Sequence, residues 1–437
     1  MLRTELIGRL GDLNPPSPEG YFVLLWSYFE KQGLTAAENL ARSQFLHPLD
    51  LPSYLPKLDN LPAVVGDLRP LEGAAFDLLA LRFLTALDRL LNDRKARRFA
   101  SISLPGLDGE SYRLRRRNNY LAESFPPGVT WEADQSGSLA AYTSFHKAVP
   151  TGRINGFRID CLPEPSWGNP NLHFRLLRER ARLRILMWPL QTVLDYPALD
   201  DLKKEDPPKF VCLDQIRNEA DLQAEVRATI QLAHDLKTTL LILPELAIPP
   251  ATEEEIRTIL ASHGHLGYPT LTLFGRCHRL SPRGDLDLNE AVLLGPDGTE
   301  LHRHQKLTSF TGFSQDRATH FGERLEVGDT VTVLESALGN LAPLICLDLL
   351  HLPLSGILRR SHANLFVVPS LSPQTNAHRT AAKQLLASNR AATFVCNRWI
   401  SGLVEEGTSF YQLPRRQGYR PHLPDSKETS YLLFDLA

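Results

Sequence analysis

The chain has 437 residues, 43% of them hydrophobic and 22% charged, with a formal net charge of −2; this is length for two or three domains with a sizeable core, and charge that excludes any global pull toward nucleic acid or acidic membranes. Its five cysteines (Cys161, Cys212, Cys277, Cys346, Cys396) are scattered and form no CxxC pair, which excludes a disulfide framework and a structural zinc site. No apolar stretch reaches the ~18 to 20 residues that span a bilayer, and Met1-Leu2-Arg3-Thr4-Glu5 opens no signal-peptide core, so the expected home is a reducing cytoplasm, with no cofactor and no metal.

In chain order, residues 1 to about 70 carry proline breakers at Asn14-Pro15-Pro16-Ser17-Pro18 and His47-Pro48-Leu49-Asp50-Leu51-Pro52. From Leu71 to about Phe99 the pattern turns helical: Phe76, Leu79, Phe83, Leu87 and Leu90 recur at three- and four-residue steps, and Arg94-Lys95-Ala96-Arg97-Arg98 closes the C-terminal end. Residues 100 to 165 alternate short strand-like pieces with turns, and Leu172 to Arg182 reads as a charged amphipathic helix. These residues, 1–180, are expected to form a mostly helical α+β accessory domain of unassigned role.

Near residue 180 the organisation changes. Strands are expected at Arg184–Trp188, Leu240–Leu243, Thr270–Gly275, Ala291–Leu294, Thr330–Leu334, Leu341–Leu347, Asn364–Pro369, Thr393–Cys396 and Tyr431–Asp435. Helices are expected at Ala220–Leu236, Glu253–His263 and Ala377–Ala391. Strands alternating with helices indicate an α/β layered domain over 183–437, whose functional residues gather outside the strand ends.

Two of those ends carry chemistry. Leu240-Leu241-Ile242-Leu243 closes on Pro244-Glu245, and Ala342-Pro343-Leu344-Ile345 runs into Cys346-Leu347-Asp348. Between them stands Lys306, the one lysine between Lys237 and Lys383. A thiol is a weak nucleophile at neutral pH unless a base or a cation activates it, so a thiol, a carboxylate and an ammonium from separate strand ends are the parts of an amide-cleaving site. Singly, each is unremarkable: a cysteine on an apolar strand is more often inert core, which is the expectation for Cys212, Cys277 and Cys396. His302, His304 and His351 stand close in sequence to these parts, as pocket, core or surface residues.

An ordered series of segments then resembles the nitrilase superfamily of carbon–nitrogen hydrolases. Pro244-Glu245 resembles its catalytic glutamate motif, and Asp287-Leu288-Asn289-Glu290-Ala291-Val292-Leu293-Leu294-Gly295-Pro296-Asp297-Gly298 its hairpin leading to the lysine. Ile345-Cys346-Leu347-Asp348 is similar to its nucleophile motif and Ala363 to Ser370 to the strand that follows. Arg390-Ala391-Ala392 through Asn397-Arg398 and Gly407-Thr408-Ser409 complete the series. The resemblance implies a four-layer α-β-β-α sandwich over 183–437. It also implies Cys346 as nucleophile, Glu245 as proton carrier and Lys306 as oxyanion partner. A further glutamate would be Glu323, five residues before Gly328, with Glu326 as runner-up. Two features depart from the family: Leu307 follows the lysine at once, and Pro353 falls one residue late, so substrate range is not carried over.

The activity this implies is hydrolysis of a non-peptide C–N bond, amide or carbamoyl in type, on a small amide or nitrile substrate. Homodimers in the family implicate Leu354 to Arg360 and the helix from Ala377. A second reading makes the domain an effector or scaffold module of a larger assembly, with a protein partner through residues 1–180, as for nitrilase-like domains beside bacterial reverse transcriptases in antiphage systems. Arg94, Lys95, Arg97, Arg98, Arg113, Arg115, Arg116 and Arg117, with Tyr112 and Tyr120 interleaved, could contact phosphates, but a solvated helix end and strand is the favoured reading.

Overall fold

The computed structural model describes residues 1–43, 60–93, 103–116, 143, 146–163, 170–179, 183–201, 209–313, 320–372, 374–398, 409–413 and 432–435. The basic run 94–98, Arg117, Tyr120 and Gly407-Thr408 lie outside them. Two compact units emerge: Met1–Ile159 with Ile357–Asn364 and Leu385–Ala391, and Asp160–Gly356 with Leu365–Gln384 and Ala392–Ala437. This division falls at Ile159/Asp160, ahead of the change in sequence character near 180, because the strand Arg158–Pro163 pairs into a sheet of the second unit.

The first unit contains the helices Leu2–Gly11, Pro18–Gln32, Thr35–Ser43, Leu61–Leu68 and Gly73–Asp93, and a sheet in the order Ser103–Pro105, Ser111–Arg116, His146–Pro150. The proline cluster before residue 18 starts a helix instead of breaking one. Ser17 Oγ accepts the Gly20 N–H at 3.1 Å, and Pro18 occupies the first turn, where its missing N–H has no partner to lose. Tyr21 to Phe29 are all buried, so this helix is apolar around its whole circumference and shows no amphipathic stripe. Trp26, Tyr28, Phe76 and Phe83 fill the core, and Tyr28 Oη donates to buried Asp77 at 2.6 Å. Within the same unit Arg360 lies 3.0 Å from Glu30 and 3.0 Å from Glu110, with Tyr112 Oη at 2.8 Å.

The second unit is built on two six-stranded sheets. One runs Glu300–Gln305, Glu290–Leu294, Leu271–Gly275, Leu240–Ile242, Arg184–Met187, Leu432–Asp435; the other runs Phe410–Gln412, Ala392–Arg398, Leu365–Leu371, Asn340–Pro343, Thr330–Glu335, Arg158–Pro163. Each has a parallel centre: Arg184–Met187, Leu240–Ile242 and Leu271–Gly275 in the first, Asn340–Pro343, Leu365–Leu371 and Ala392–Arg398 in the second. These strands are buried on both faces, which is why they read as unbroken apolar runs. Leu222, Val226 and Ile230 of the helix Glu219–Asp235 and Ile256 and Leu260 of Pro250–His263 share one core with Leu241, Leu243, Phe274 and Val292. The sheets meet through Phe394 and Phe434, whose rings stand edge to face at 5.4 Å.

The helices expected at 220–236, 253–263 and 377–391 form at Glu219–Asp235, Pro250–His263 and Asn376–Asn389. Several expected strands are a residue shorter, and one is cut back much further. The Leu341–Leu347 strand stops at Pro343, and Cys346 opens a 3-10 turn, Cys346–Leu349. Among the described residues no helix is long and apolar enough to cross a membrane.

Candidate active site

Three strand ends and one hairpin of the second unit converge on a buried polar cluster. Glu245 follows Leu240–Ile242, Cys346 follows Asn340–Pro343, Ser370 sits near the end of Leu365–Leu371, and Lys306 follows the hairpin strand Glu300–Gln305. All four are buried, Glu245 and Lys306 at 2% exposure and Cys346 at 5%.

Lys306 ties the two acids together. Its Nζ donates to Glu245 Oε1 at 2.8 Å and to Glu323 Oε2 at 2.7 Å. Glu323 is thus the second glutamate of the cluster. Glu326 bonds Ser281 and stands 3.8 Å from Arg283, away from the lysine. Asn289 closes the ring, with Nδ2 donating to Glu245 Oε1 and to Glu323 Oε1, each at 2.9 Å. Its backbone carbonyl takes the Lys306 N–H at 2.8 Å. Glu245 Oε2 also receives the Leu371 N–H at 3.0 Å, and Glu323 receives the Phe310 N–H at 2.9 Å.

His278 supplies the last donor. Its Nδ1 accepts the Leu213 N–H at 2.9 Å, which places the ring proton on Nε2, 3.1 Å from Glu323 Oε1.

Cys346 has φ +42°, a left-handed conformation that few side-chain-bearing residues adopt without a compensating role. Asp348, fully buried, holds this turn: Oδ2 accepts the Ile345 N–H at 3.1 Å and stands 3.0 Å from His304 Nε2, while Oδ1 accepts the Leu307 N–H at 2.9 Å. The carboxylate two residues after the thiol therefore clamps the turn onto the loop that carries Lys306. Around the sulfur stand Ser370 Oγ at 3.4 Å and His378 Nε2 at 3.9 Å. Glycine is required at one approach: a Cβ on Gly275 would lie 2.4 Å from Glu245 Cα.

A sequence model of the carbon-nitrogen hydrolase family matches residues 215–400. Residues 215–400 carry a carbon–nitrogen hydrolase domain. The matched stretch contains every side chain of the polar cluster described above. Among solved structures, an amidase from Nesterenkonia sp. is 18% identical with a TM-score of 0.38, over 58% of this chain and 89% of that one. Saccharomyces cerevisiae Nit3, a member of branch 10 of the nitrilase superfamily, is 15% identical with a TM-score of 0.36, over 54% of this chain and 83% of its own. No curated protein sequence matches the chain.

The electrostatics of the hydrolase domain follow from donors and burial. Burial raises the pKa of Glu245, against the pull of Lys306 and with a further push from the charge on Glu323. Burial would do the same to Glu323, but Lys306 and His278 outweigh it and hold that carboxyl at about 2. The two acids are therefore unlike: Glu323 stays ionised, and Glu245 is the one able to take up a proton. Burial works against the Lys306 ammonium, yet Glu245 and Glu323 more than compensate, and it stays charged. The Cys346 thiol is pushed up by burial and by Glu245, while Lys306 and Ser370 draw it down.

Elsewhere, Cys277 and Cys396 are buried and Cys212 and Cys161 half-buried; none of the five cysteines forms a disulfide. His302 is mostly buried, with burial lowering its pKa to about 4, and His351 is half-buried. Asn289 lay inside the hairpin segment quoted from the sequence, whereas His278 and His378 gave no local signal.

Proposed function

We propose that this domain hydrolyses a non-peptide C–N bond of a small substrate, an amide or a carbamoyl group, through a thioester on Cys346. One observation carries the reading. A single buried ammonium bridges two carboxylates of opposite pKa tendency beside a thiol held at positive φ. Glu245 takes the thiol proton, and the sulfur attacks the carbonyl carbon. Lys306 balances the oxyanion that forms. The C–N bond breaks as Glu245 returns the proton to the departing amine, and a water, deprotonated by Glu245, then attacks the thioester and frees the acid and the thiol. Glu323, kept ionised by four donors, holds Lys306 in place. The layering expected for this family, helices outside two stacked sheets, and a homodimeric state belong to the same reading.

The reading is tested by covalent labelling of Cys346 with a small electrophile in the full chain, with Glu245→Gln and Lys306→Ala as controls, beside ammonia release from a panel of small amides. A Cys346 that reacts no faster than Cys396, indifferent to both substitutions, overturns it.

Among the described residues, every side chain of the polar cluster belongs to the second unit, and on that ground we keep a second reading in which the first unit recruits a protein partner. Nucleic acid is less well served. Of the arginines in the strand Ser111–Arg116, Arg115 is buried, leaving Arg113 and Arg116 at the surface. Co-purification of a protein with the full chain, lost on deleting the first unit, is the result this second reading requires. Five cysteines outside any disulfide suit a reducing compartment.

A further inference from the structure

We infer that His378 is a further residue of the catalytic site, an N–H donor that stabilises the thiolate of Cys346. This rests on Cys346 being the nucleophile proposed above, and it gives the sulfur a partner the glutamate–lysine pair does not supply.

The geometry is as follows. Among the described residues, the side-chain groups in hydrogen-bonding reach of Cys346 Sγ are Ser370 Oγ at 3.4 Å and His378 Nε2 at 3.9 Å. Glu245 is not one of them, because its oxygens are taken up by Lys306, Asn289 and the Leu371 N–H. His378 sits in the first turn of the helix Asn376–Asn389 and is 1% exposed. Its other nitrogen, Nδ1, makes no hydrogen bond among the described residues, and the Cys346 and Gln374 carbonyls both lie against the ring.

An uncharged imidazole carries one proton on one of two nitrogens. Burial holds His378 in that uncharged form, its pKa lowered to about 4 against the pull of the Cys346 and Gln374 carbonyls. A buried N–H without an acceptor is costlier than a bare lone pair, so the proton belongs on the nitrogen that meets acceptors. Nε2 meets the sulfur, whereas Nδ1 makes no hydrogen bond among the described residues. The proton therefore sits on Nε2 and points toward Cys346.

A donor aimed at sulfur favours the anion over the thiol. The need is evident, since burial and the Glu245 charge both disfavour the thiolate. With Ser370 Oγ on the sulfur and Lys306 nearby, His378 completes a set of donors that offsets the burial. The 3.9 Å separation is that of the resting thiol; N–H···S contacts of this kind shorten when the acceptor becomes charged. The charged groups acting on the sulfur are Glu245 and Lys306, so their states are part of any pH profile read at Cys346.

The test is the rate of Cys346 alkylation by iodoacetamide as a function of pH, read by peptide mass spectrometry on the full chain. His378→Phe keeps the ring volume and removes the donor, and His378→Gln keeps an N–H. The profile of His378→Phe is expected to move up by about one pH unit, with alkylation ~10-fold slower below the midpoint, and His378→Gln is expected to return toward the parent. If His378→Phe does not fold, His378→Met against His378→Gln gives the same comparison. A profile that superimposes on the parent, or one that moves to lower pH, overturns the inference. A parent protein whose Cys346 is no more reactive than Cys396 at any pH overturns both this inference and the nucleophile reading. A reactive parent with an unmoved variant overturns this one alone.

Discussion

At the residue scale, the site works by making two similar side chains different. Glu245 and Glu323 share Lys306 and Asn289, but only Glu323 also receives His278 and the Phe310 N–H. Glu245 has a backbone donor of its own in the Leu371 N–H, so it is His278 that, together with Lys306, outweighs burial at Glu323 and keeps that carboxyl ionised. On the proposed mechanism, Glu245→Gln is expected to lower Cys346 turnover by ~10²- to 10⁴-fold with native secondary structure retained, because it would remove the proton carrier and keep the shape. Steady-state kinetics on whichever amide of the panel is cleaved would check this. Lys306→Ala leaves two buried carboxylates without a counter-charge, and a loss of about 3–5 kcal/mol in urea unfolding is expected. The acid side has a definite sign. Glu323 has its folded pKa depressed to about 2, so its stabilisation is complete above its unfolded value and is lost as pH falls through the window down to about 2. Glu323→Gln should flatten that part of the curve of urea midpoint against pH; a curve as steep as the parent's would show that another group carries the acid loss.

At the element scale, the decisive features are short. Asp348 binds the turn after one strand to the loop after another through the N–H groups of Ile345 and Leu307, with His304 beside it. Gly275 lets the third strand of the first sheet pass directly against Glu245. Gly275→Ala forces an atom into backbone 2.4 Å away, so Glu245 must shift. A drop of at least ~10-fold in kcat is expected, with about 1–3 kcal/mol lost in stability. Unchanged kcat in a folded Gly275→Ala protein would show that the position of Glu245 is not critical.

At the scale of the whole molecule, the two compact units are not two consecutive stretches of chain. Ile357–Asn364 and Leu385–Ala391 belong to the first unit although they lie inside the hydrolase part of the sequence. Arg360, placed in that unit, meets Glu30, Asp108 and Glu110 and stacks its guanidinium 5.8 Å from the Tyr112 ring centre. The cluster is partly exposed, so its contribution is screened. Arg360→Ala is expected to cost about 1–2 kcal/mol, visible in thermal unfolding of the full chain, and to leave the alkylation rate of Cys346 unchanged. The helix Leu352–Arg360, raised from the sequence as a dimer face, has Leu354, Ile357 and Leu358 buried within the chain itself. Of its apolar residues Leu352 is the strongly exposed one, at 83%.

The order of the central strands is legible in the sequence, and so are Glu245, Lys306 and Cys346, three residues that the fold brings into one buried region. The parallel strands are buried on both faces and so are continuous apolar runs, and Glu245, Lys306 and Cys346 come just after three elements that can be located from such patterns. Glu323 was legible through its spacing to Gly328. Other features have no local signature. The helix Pro18–Gln32 is buried all round, which erases the period that would announce it. His278 and His378 are single polar residues whose partners lie tens of positions away; His278 and Glu323 are 45 residues apart. Only the tertiary structure decided that Asp348 is a clamp, that Cys346 sits beyond its strand in a left-handed turn, and that one glutamate is kept charged while the other is left able to move a proton. The physical reason is the same in each case: these properties are set by which donors reach a buried atom, and that depends on distances between strand ends that the order of residues does not contain.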